Sequence, residues 1–204
     1  MSPASKTGQA QGKVRFMKYE CIVAGGGASG IAAAISAARS GVETLLVECD
    51  GGVGGDLFSG MPILGTFTSR GEQCFHGILD DLKEECDRLD PDAWIGPVCD
   101  WRTVYGLCVD PEILRLAVYA LLKRYKVKLL LNAMIVSAEC QNGVLKSVTV
   151  KTRNRLSTIE CACAVDATGG GYLTRLCGGE VLFGSEKSEF QPVSLVFRMG
   201  GVGY

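Results

Sequence analysis

Three closely spaced glycines, Gly25-x-Gly27-x-x-Gly30, constrain the fold of this chain more than any other feature of the sequence. A short apolar run over residues 20–24 precedes them, and small and apolar residues at helical spacing follow over residues 31–40. Between a strand and a helix, the first glycine permits a tight turn, the second lets a pyrophosphate approach the backbone, and the third lets helix and strand pack closely. The spacing therefore predicts a dinucleotide-binding junction.

A second strand and an acidic residue complete this pattern. Residues 42–48 have the composition of a buried strand that ends at Glu48, about twenty residues beyond the glycines, where a carboxylate accepts hydrogen bonds from ribose hydroxyls. No arginine follows Glu48 at once, which disfavours the 2′-phosphate of NADP. At the start of the helix, the amides around Ala28 and Ser29 are expected to face the anion. The alternative is a glycine-rich turn without a nucleotide, and the fingerprint alone does not distinguish FAD from NAD.

The remaining pattern predicts further α/β elements. A helix is expected over residues 77–89, and a second begins at Asp110-Pro111-Glu112, which supplies a cap, a proline and an acid in the first turn. A strand over residues 127–131 follows. Residues 49–70 are expected to form a long loop over the sheet edge, and residues 90–109 show no clear period.

From residue 134 onward the apolar period changes to two, and Asn142-Gly143 is a favoured hairpin turn. These runs predict a three-stranded antiparallel meander. The fold expected for the chain is therefore α/β and Rossmann-like, with a mostly parallel sheet that carries helices on one side and the meander on the other.

Composition excludes several classes of function. The 21 basic residues are scattered among 22 acidic ones, which gives no support to nucleic-acid binding. No apolar run reaches the roughly 18 residues that a membrane span requires. Ten cysteines without a secretory segment or a CxxC pair fit a reducing cytoplasm, and a single histidine, His76, excludes a multi-histidine metal site. No metal ligands and no catalytic acid or base are predicted.

Three further stretches, "ECDGGVGG", "DPEILRLAVYALLKRYKVKLLLNAMIV" and "AVDATGGG", give the chain a wider resemblance. From about Met17 onward it resembles the FAD-dependent oxidoreductases of the glutathione-reductase-like superfold, in the branch related to fumarate-reductase-type and heterodisulfide-reductase-type flavoproteins. The resemblance implies FAD as the cofactor. It also implies that the following additional residues lie at the cofactor: Cys49, Gly54, Gly55, Ile135 (through its backbone, to adenine), Ala167, Thr168 and Gly169.

The resemblance also implies a division of the chain and an activity. Residues 1–16 are expected to be a flexible extension, residues 17–184 an FAD-binding domain, and residues 185–204 the start of a substrate domain or a connecting segment. The implied activity is transfer of a hydride or electron pair between flavin and a small organic substrate, with a partner subunit or further chain completing the site. A non-catalytic or partner-dependent dinucleotide-binding module and an NAD-dependent Rossmann oxidoreductase remain as alternatives.

Overall fold

The computed structural model describes residues 17–100, 104–184, 190, 192–197 and 199–201, so the extension expected over residues 1–16 lies outside the described residues. Helices and strands alternate along most of the described chain. In chain order they are β1 Met17–Ala24, α1 Ala28–Arg39, β2 Thr44–Val47, a 3-10 helix Gly55–Phe58, β3 Ile63–Phe67, α2 Ile78–Leu89, β4 Trp94–Asp100, β5 Val104–Val109, α3 Pro111–Arg124, β6 Lys128–Leu130, β7 Ala133–Gln141, β8 Val144–Thr152, β9 Leu156–Asp166 and α4 Tyr172–Leu176.

A six-stranded sheet in the order β6-β2-β1-β9-β8-β7 forms the centre of the molecule. Strands β6, β2, β1 and β9 are parallel, whereas β7, β8 and β9 are antiparallel and form the meander. Asn142 and Gly143 join β7 to β8 with φ angles of 52° and 75°, as a tight hairpin turn requires. The predicted α/β class and the three-stranded meander are therefore confirmed.

The two faces of β1 bury different partners. Cys21 and Val23 face an apolar cluster shared with helices α1, α2 and α3. Ile22 and its neighbour Ala24 face a second cluster, which contains residues of the meander such as Val148. Because both faces are covered there, residues 21–24 of β1 form a continuous apolar run, whereas the first half of the strand alternates between half-buried and exposed residues. The predicted arrangement, with helices on one side and the meander on the other, is confirmed.

Strand β9 belongs to both parts of the sheet. Its first half, from Leu156 to Glu160, pairs with β8. From Ile159 to Asp166 it pairs in parallel with β1. One continuous strand of 11 residues thereby connects the meander to the parallel region.

A second sheet, with the order β3-β5-β4, corrects two expectations. The stretch over residues 49–70 contains a 3-10 helix and strand β3 rather than only a loop, and residues 90–109 contribute β4 and β5. Register shifts between Leu64 and Phe67 and between Ile95 and Val98 interrupt the side-chain alternation by which a strand is recognised in a sequence. The sheet buries Leu107 on one side, next to the cluster under the helices.

Helix α3 has a well-defined start and is the longest described helix, with 14 residues. Asp110 caps it by accepting hydrogen bonds from the backbone N–H groups of Glu112 and Ile113, at 2.8 and 3.1 Å. Its buried residues Ala117, Val118 and Leu121 lie at helical spacing, as predicted. In the described part of the chain, no helix has both the length and the apolar character needed to cross a membrane.

Asp110→Ala is expected to lower the free energy of unfolding by about 1 kcal/mol, because two N–H groups of the first turn lose their side-chain acceptor. Urea unfolding followed by circular dichroism measures the change. Asp110→Asn keeps a side-chain oxygen and is the matched control, with a smaller expected loss. Equal losses in the two variants would contradict the capping explanation.

Candidate active site

Parallel strands bring the predicted site residues to one edge of the sheet. The loops after β1, β2 and β9 all leave from the carboxyl ends of neighbouring strands. Backbone hydrogen bonds hold the loops together: Gly25 N–H donates to the Val47 carbonyl and Ala167 N–H donates to the Ala24 carbonyl, each at 2.8 Å. The glycine loop, the segment at Glu48 and the segment at Ala167 therefore lie side by side, as the sequence predicts.

The three glycines of the first loop meet different surroundings. Gly25 has a φ of +96°, and a Cβ there would lie 2.4 Å from the Ala167 carbonyl oxygen. A Cβ on Gly30 would lie 1.8 Å from the Gly25 carbonyl oxygen. A Cβ on Gly27 would meet no atom within 4 Å. Packing within the protein thus accounts for Gly25 and Gly30, whereas only a group outside the protein would require a glycine at position 27.

Helix α1 begins at this open point without a cap from a side chain. Gly27 is its N-cap residue, no side-chain hydrogen bond caps the helix, and the first turn has no acidic residue. No described residue accepts a hydrogen bond from the backbone N–H groups of Ala28, Ser29 and Gly30. These three N–H groups, at the positive end of the helix dipole, form a site suited to a phosphate.

Glu48 is a charged side chain with only 8% of its surface exposed. Its Oε2 accepts a hydrogen bond from the Gly26 N–H. Its Oε1 accepts from the Asp50 N–H at 2.8 Å and from the Cys49 thiol at 3.0 Å. A carboxylate has about four acceptor positions, so one remains on Oε2 for a ribose hydroxyl.

The hydrogen bonds also keep Glu48 ionised. Burial alone raises the pKa of its carboxyl group, but hydrogen bonds from the Cys49 thiol and from the amides of Asp50 and Gly26, aided by the nearby Cys49 amide, outweigh burial and hold the pKa below its usual value of 4.5. The Cys49 sulfur and one carboxylate oxygen each of Glu48 and Asp50 lie within 4.8 Å of one another. Hydrogen bonds from the Cys49 thiol and the Asp50 N–H to Glu48 hold these three consecutive residues together. The site thus presents an anionic acceptor beside an N–H cluster that favours anions.

A second glycine-rich segment, residues 51–55, lies against the first loop. Gly54 N–H donates to the Gly26 carbonyl at 2.7 Å, and Gly54 forms an isolated parallel bridge with Gly27. A Cβ on Gly55 would lie 3.6 Å from the Gly27 Cα. The predicted cofactor residues Gly54 and Gly55 therefore border the open side of Gly27.

The segment after β9 is organised by Asp166. Its Oδ1 accepts from the N–H and hydroxyl of Thr168, at 3.1 and 2.7 Å, and its Oδ2 accepts from the N–H and hydroxyl of Thr174, at 2.7 and 2.8 Å. Burial alone raises the pKa of Asp166, but these hydrogen bonds outweigh burial and lower it overall. The Thr168 hydroxyl also accepts from the Tyr172 N–H, so this side chain orders the loop. A Cβ on Gly169 would meet no atom within 4 Å, which leaves the backbone there open to a ligand.

Comparison with known protein families identifies the family to which this chain belongs. The model of the family described as FAD dependent oxidoreductase matches residues 20–203. The chain belongs to this family. The cofactor is FAD, and the resemblance inferred from the sequence is confirmed. No curated protein matches the chain.

Solved structures of other proteins share the fold. THI4 from Thermovibrio ammonificans has a TM-score of 0.58 and 15% identity, covering 78% of this chain and 61% of that one. A geranylgeranyl bacteriochlorophyll reductase-like protein from Thermoplasma acidophilum has a TM-score of 0.54 and 18% identity, covering 80% and 43%. OxyS anhydrotetracycline hydroxylase from Streptomyces rimosus has a TM-score of 0.55 and 19% identity, covering 79% and 34%. The chain spans less than two thirds of the length of these three structures.

The site fits the adenosine diphosphate part of FAD. The open N–H cluster at the start of α1 suits the pyrophosphate, and the free acceptor position on Glu48 suits a ribose hydroxyl. Ile135 has its side chain buried in the second apolar cluster, so only its backbone is available for the expected adenine contact. Ile135 lies in β7, an edge strand of the six-stranded sheet. Two residues before it, the Ala133 N–H donates to the Glu48 carbonyl at 2.9 Å, which brings this part of β7 close to Glu48.

No role was predicted from the sequence for two residues that order this site, Asp166 and Tyr119. Asp166 precedes the predicted segment directly, but one of its partners, Thr174, lies eight residues further on. Tyr119 reaches the second glycine segment from helix α3, and its hydroxyl oxygen accepts a hydrogen bond from the Val53 N–H at 3.2 Å. Only the tertiary fold brings Tyr119 to this position.

Apart from Cys49, the histidine and the cysteines discussed next lie outside the contacts described for the site. His76 pairs with Asp80 at 3.3 Å near the start of α2. Burial raises the pKa of the Cys21 thiol to about 12 and that of Cys86 to about 11, so both stay protonated. Cys99 and Cys108, which belong to the stretch without a clear period in the sequence, lie in strands β4 and β5.

Gly30→Ala is expected to lower the free energy of unfolding by about 3 kcal/mol, because the new methyl group overlaps the Gly25 carbonyl oxygen. Gly27→Ala is the matched control, since its methyl group enters open space, and a change below about 0.5 kcal/mol is expected. Denaturant unfolding of the cofactor-free chain measures both. Equal destabilisation would show that the two glycines do not differ in packing.

Glu48→Gln tests the charge of the buried carboxylate. Because the pKa of Glu48 is lower in the folded chain than its usual 4.5, its stabilising effect is present above that pH and is lost as pH falls through the folded value. The variant lacks this effect. We expect it to be less stable than the unaltered chain near neutral pH, with a difference that shrinks in acid, as measured by urea unfolding across pH. A difference independent of pH would contradict an ionised Glu48.

Proposed function

We propose that the chain is the FAD-binding portion of a flavoprotein oxidoreductase that transfers a hydride or electron pair between flavin and a small organic substrate. The observation that carries this proposal is the juxtaposition, at one sheet edge, of the open N–H cluster beyond Gly27 and the buried carboxylate of Glu48. Bound FAD supplies the two-electron chemistry. The residues of this chain hold and orient the cofactor.

Each segment has a distinct role in this proposal. The N–H groups of Ala28 and Ser29 bind the pyrophosphate, and the remaining acceptor position of Glu48 binds a ribose hydroxyl. Gly54 and Gly55 let the ribityl chain approach the backbone, and Ala167, Thr168 and Gly169 border the dinucleotide from the β9 side. The backbone of Ile135 contacts adenine, and Cys49 contributes by donating to Glu48.

The domain division extends the same proposal. We assign residues 17–184 to FAD binding and residues 185–204 to the start of a substrate domain or a connecting segment. The greater length of the structural neighbours supports this division, since this chain covers 61% of THI4 and 43% of the reductase-like protein. The surface for the substrate is then supplied by further chain or by a partner subunit.

A reducing compartment, the cytoplasm, suits this chain. Its ten cysteines are free in the structure, and five of them are exposed at the surface: Cys49, Cys74, Cys99, Cys140 and Cys163. Exposed thiols persist where glutathione keeps them reduced. We therefore place the protein in the cytoplasm.

Gly27→Ala should weaken FAD binding without unfolding the protein, because a methyl group would occupy the space beside the free N–H cluster. Titration of the cofactor-free chain with FAD, followed by flavin fluorescence, measures the dissociation constant. We expect an increase of at least about ten-fold in this constant. Thermal unfolding without FAD verifies that the variant is folded.

The unaltered chain is tested alongside, by its visible absorption spectrum, the mass of its released cofactor and its bleaching by dithionite. Tight FAD with reversible bleaching supports the proposal. Preference for NAD over FAD would favour a Rossmann dehydrogenase instead. Failure to take up either nucleotide would show that the chain does not form the site alone.

A further inference from the structure

The second glycine segment, residues 51–55, requires contacts with the rest of the protein to hold its conformation. Residues 51–55 have the sequence Gly-Gly-Val-Gly-Gly, so four of five positions lack a side chain. Glycine loses more conformational freedom on ordering than any other residue. Gly54 and Gly55 adopt positive φ angles of 130° and 51°, a conformation that the rest of the fold must stabilise.

Two fixed points hold this segment, and one is Tyr119. Among the described residues, its hydroxyl is the one side-chain group that hydrogen-bonds to the segment: it accepts from the Val53 N–H at 3.2 Å. The Val53 side chain is 2% exposed and packs over the first loop, where a Cβ on Gly26 would meet it at 2.8 Å. The other fixed point is the backbone bond from Gly54 to the Gly26 carbonyl.

Helix α3 contacts the segment directly through Tyr119 and indirectly through Arg115, which packs on Phe58. Arg115, one helical turn before Tyr119, places its guanidinium 4.6 Å from the centre of the Phe58 ring. That ring in turn covers Gly54, where a Cβ would lie 2.1 Å from it. Two side chains on one face of α3 thus stabilise the segment that borders Gly27: Tyr119 by a direct hydrogen bond and Arg115 through the Phe58 ring.

We propose that Tyr119 is a positioning residue for FAD: its hydroxyl group fixes the second glycine segment in the conformation that receives the cofactor. This inference rests on the proposed function, because the segment is taken to border FAD. Tyr119 acts through Val53 and has no part in the redox chemistry. Without its hydroxyl group, the receptive conformation is less populated, and the apparent affinity falls in proportion.

Tyr119→Phe removes the hydroxyl group and keeps the ring in the apolar cluster. We expect the dissociation constant for FAD to rise about five-fold, the effect of one lost hydrogen bond. Stopped-flow fluorescence should show the loss mainly in the association rate, because fewer molecules hold the receptive segment. Hydrogen exchange at the Val53 amide should accelerate in the cofactor-free chain.

Tyr125→Phe is the matched control. Tyr125 follows the same helix, and its hydroxyl donates to Asp81 on α2 at 3.3 Å, away from the glycine segments. We expect it to change the FAD dissociation constant less than about two-fold. An equal weakening by both variants, or a larger fall in thermal midpoint for Y119F than for Y125F, would indicate a general structural role and overturn the inference.

A double-mutant cycle sharpens the test. A Cβ on Gly52 would lie 3.2 Å from the Tyr119 hydroxyl oxygen, so Gly52→Ala should disturb the same contact. We expect G52A to weaken FAD binding in the unaltered chain and to have less effect in the Y119F background. Wild-type affinity and association rate in Y119F would overturn the inference while leaving the proposed function intact. Absence of FAD binding by the unaltered chain would overturn both.

Discussion

The burial of one negative charge, on Glu48, is the constraint on which the sheet edge that carries the glycine loop depends. A buried carboxylate is strongly destabilising unless donors replace the water it has lost. Here the donors come from two separate segments, the first glycine loop and the residues directly after β2. Displacement of either segment would remove part of the set of donors that the buried charge requires.

The backbone of Glu48 also forms hydrogen bonds to two other strands. Its N–H donates to Leu130 at the end of β6, and its carbonyl accepts from Ala133 at the start of β7. One residue therefore joins the ends of β1, β2 and β6 to the first strand of the meander. The carboxylate that we propose binds ribose and the backbone contacts that close the sheet edge belong to one residue, so the sheet itself holds the proposed binding site in place.

How much the sequence predicts depends on how local each pattern is. The βαβ unit, the capped start of α3 and the Asn142-Gly143 turn follow from spacings of a few residues, and the structure confirms all three. The second sheet was not predicted, because its register shifts interrupt the alternation on which strand recognition depends. In the site, the steric roles of Gly25 and Gly30 follow from the fingerprint, whereas Tyr119 lies 66 residues from its partner Val53 and has no local signature.

Strand β9 pairs with both the meander and β1, so the sheet edge that carries the glycine loop can be completed only after β9 has been synthesised. Met17 of β1 pairs with Ile159 of β9, so almost the whole described chain must leave the ribosome between them. At about 5 to 20 residues per second, this interval is roughly 7 to 28 seconds. Throughout it one edge of β1 is unpaired, and Gly25 lacks the Ala167 backbone on which it packs. Contacts so distant in sequence also form slowly in the full chain. A nascent chain therefore carries its complete glycine fingerprint long before it can bind a nucleotide.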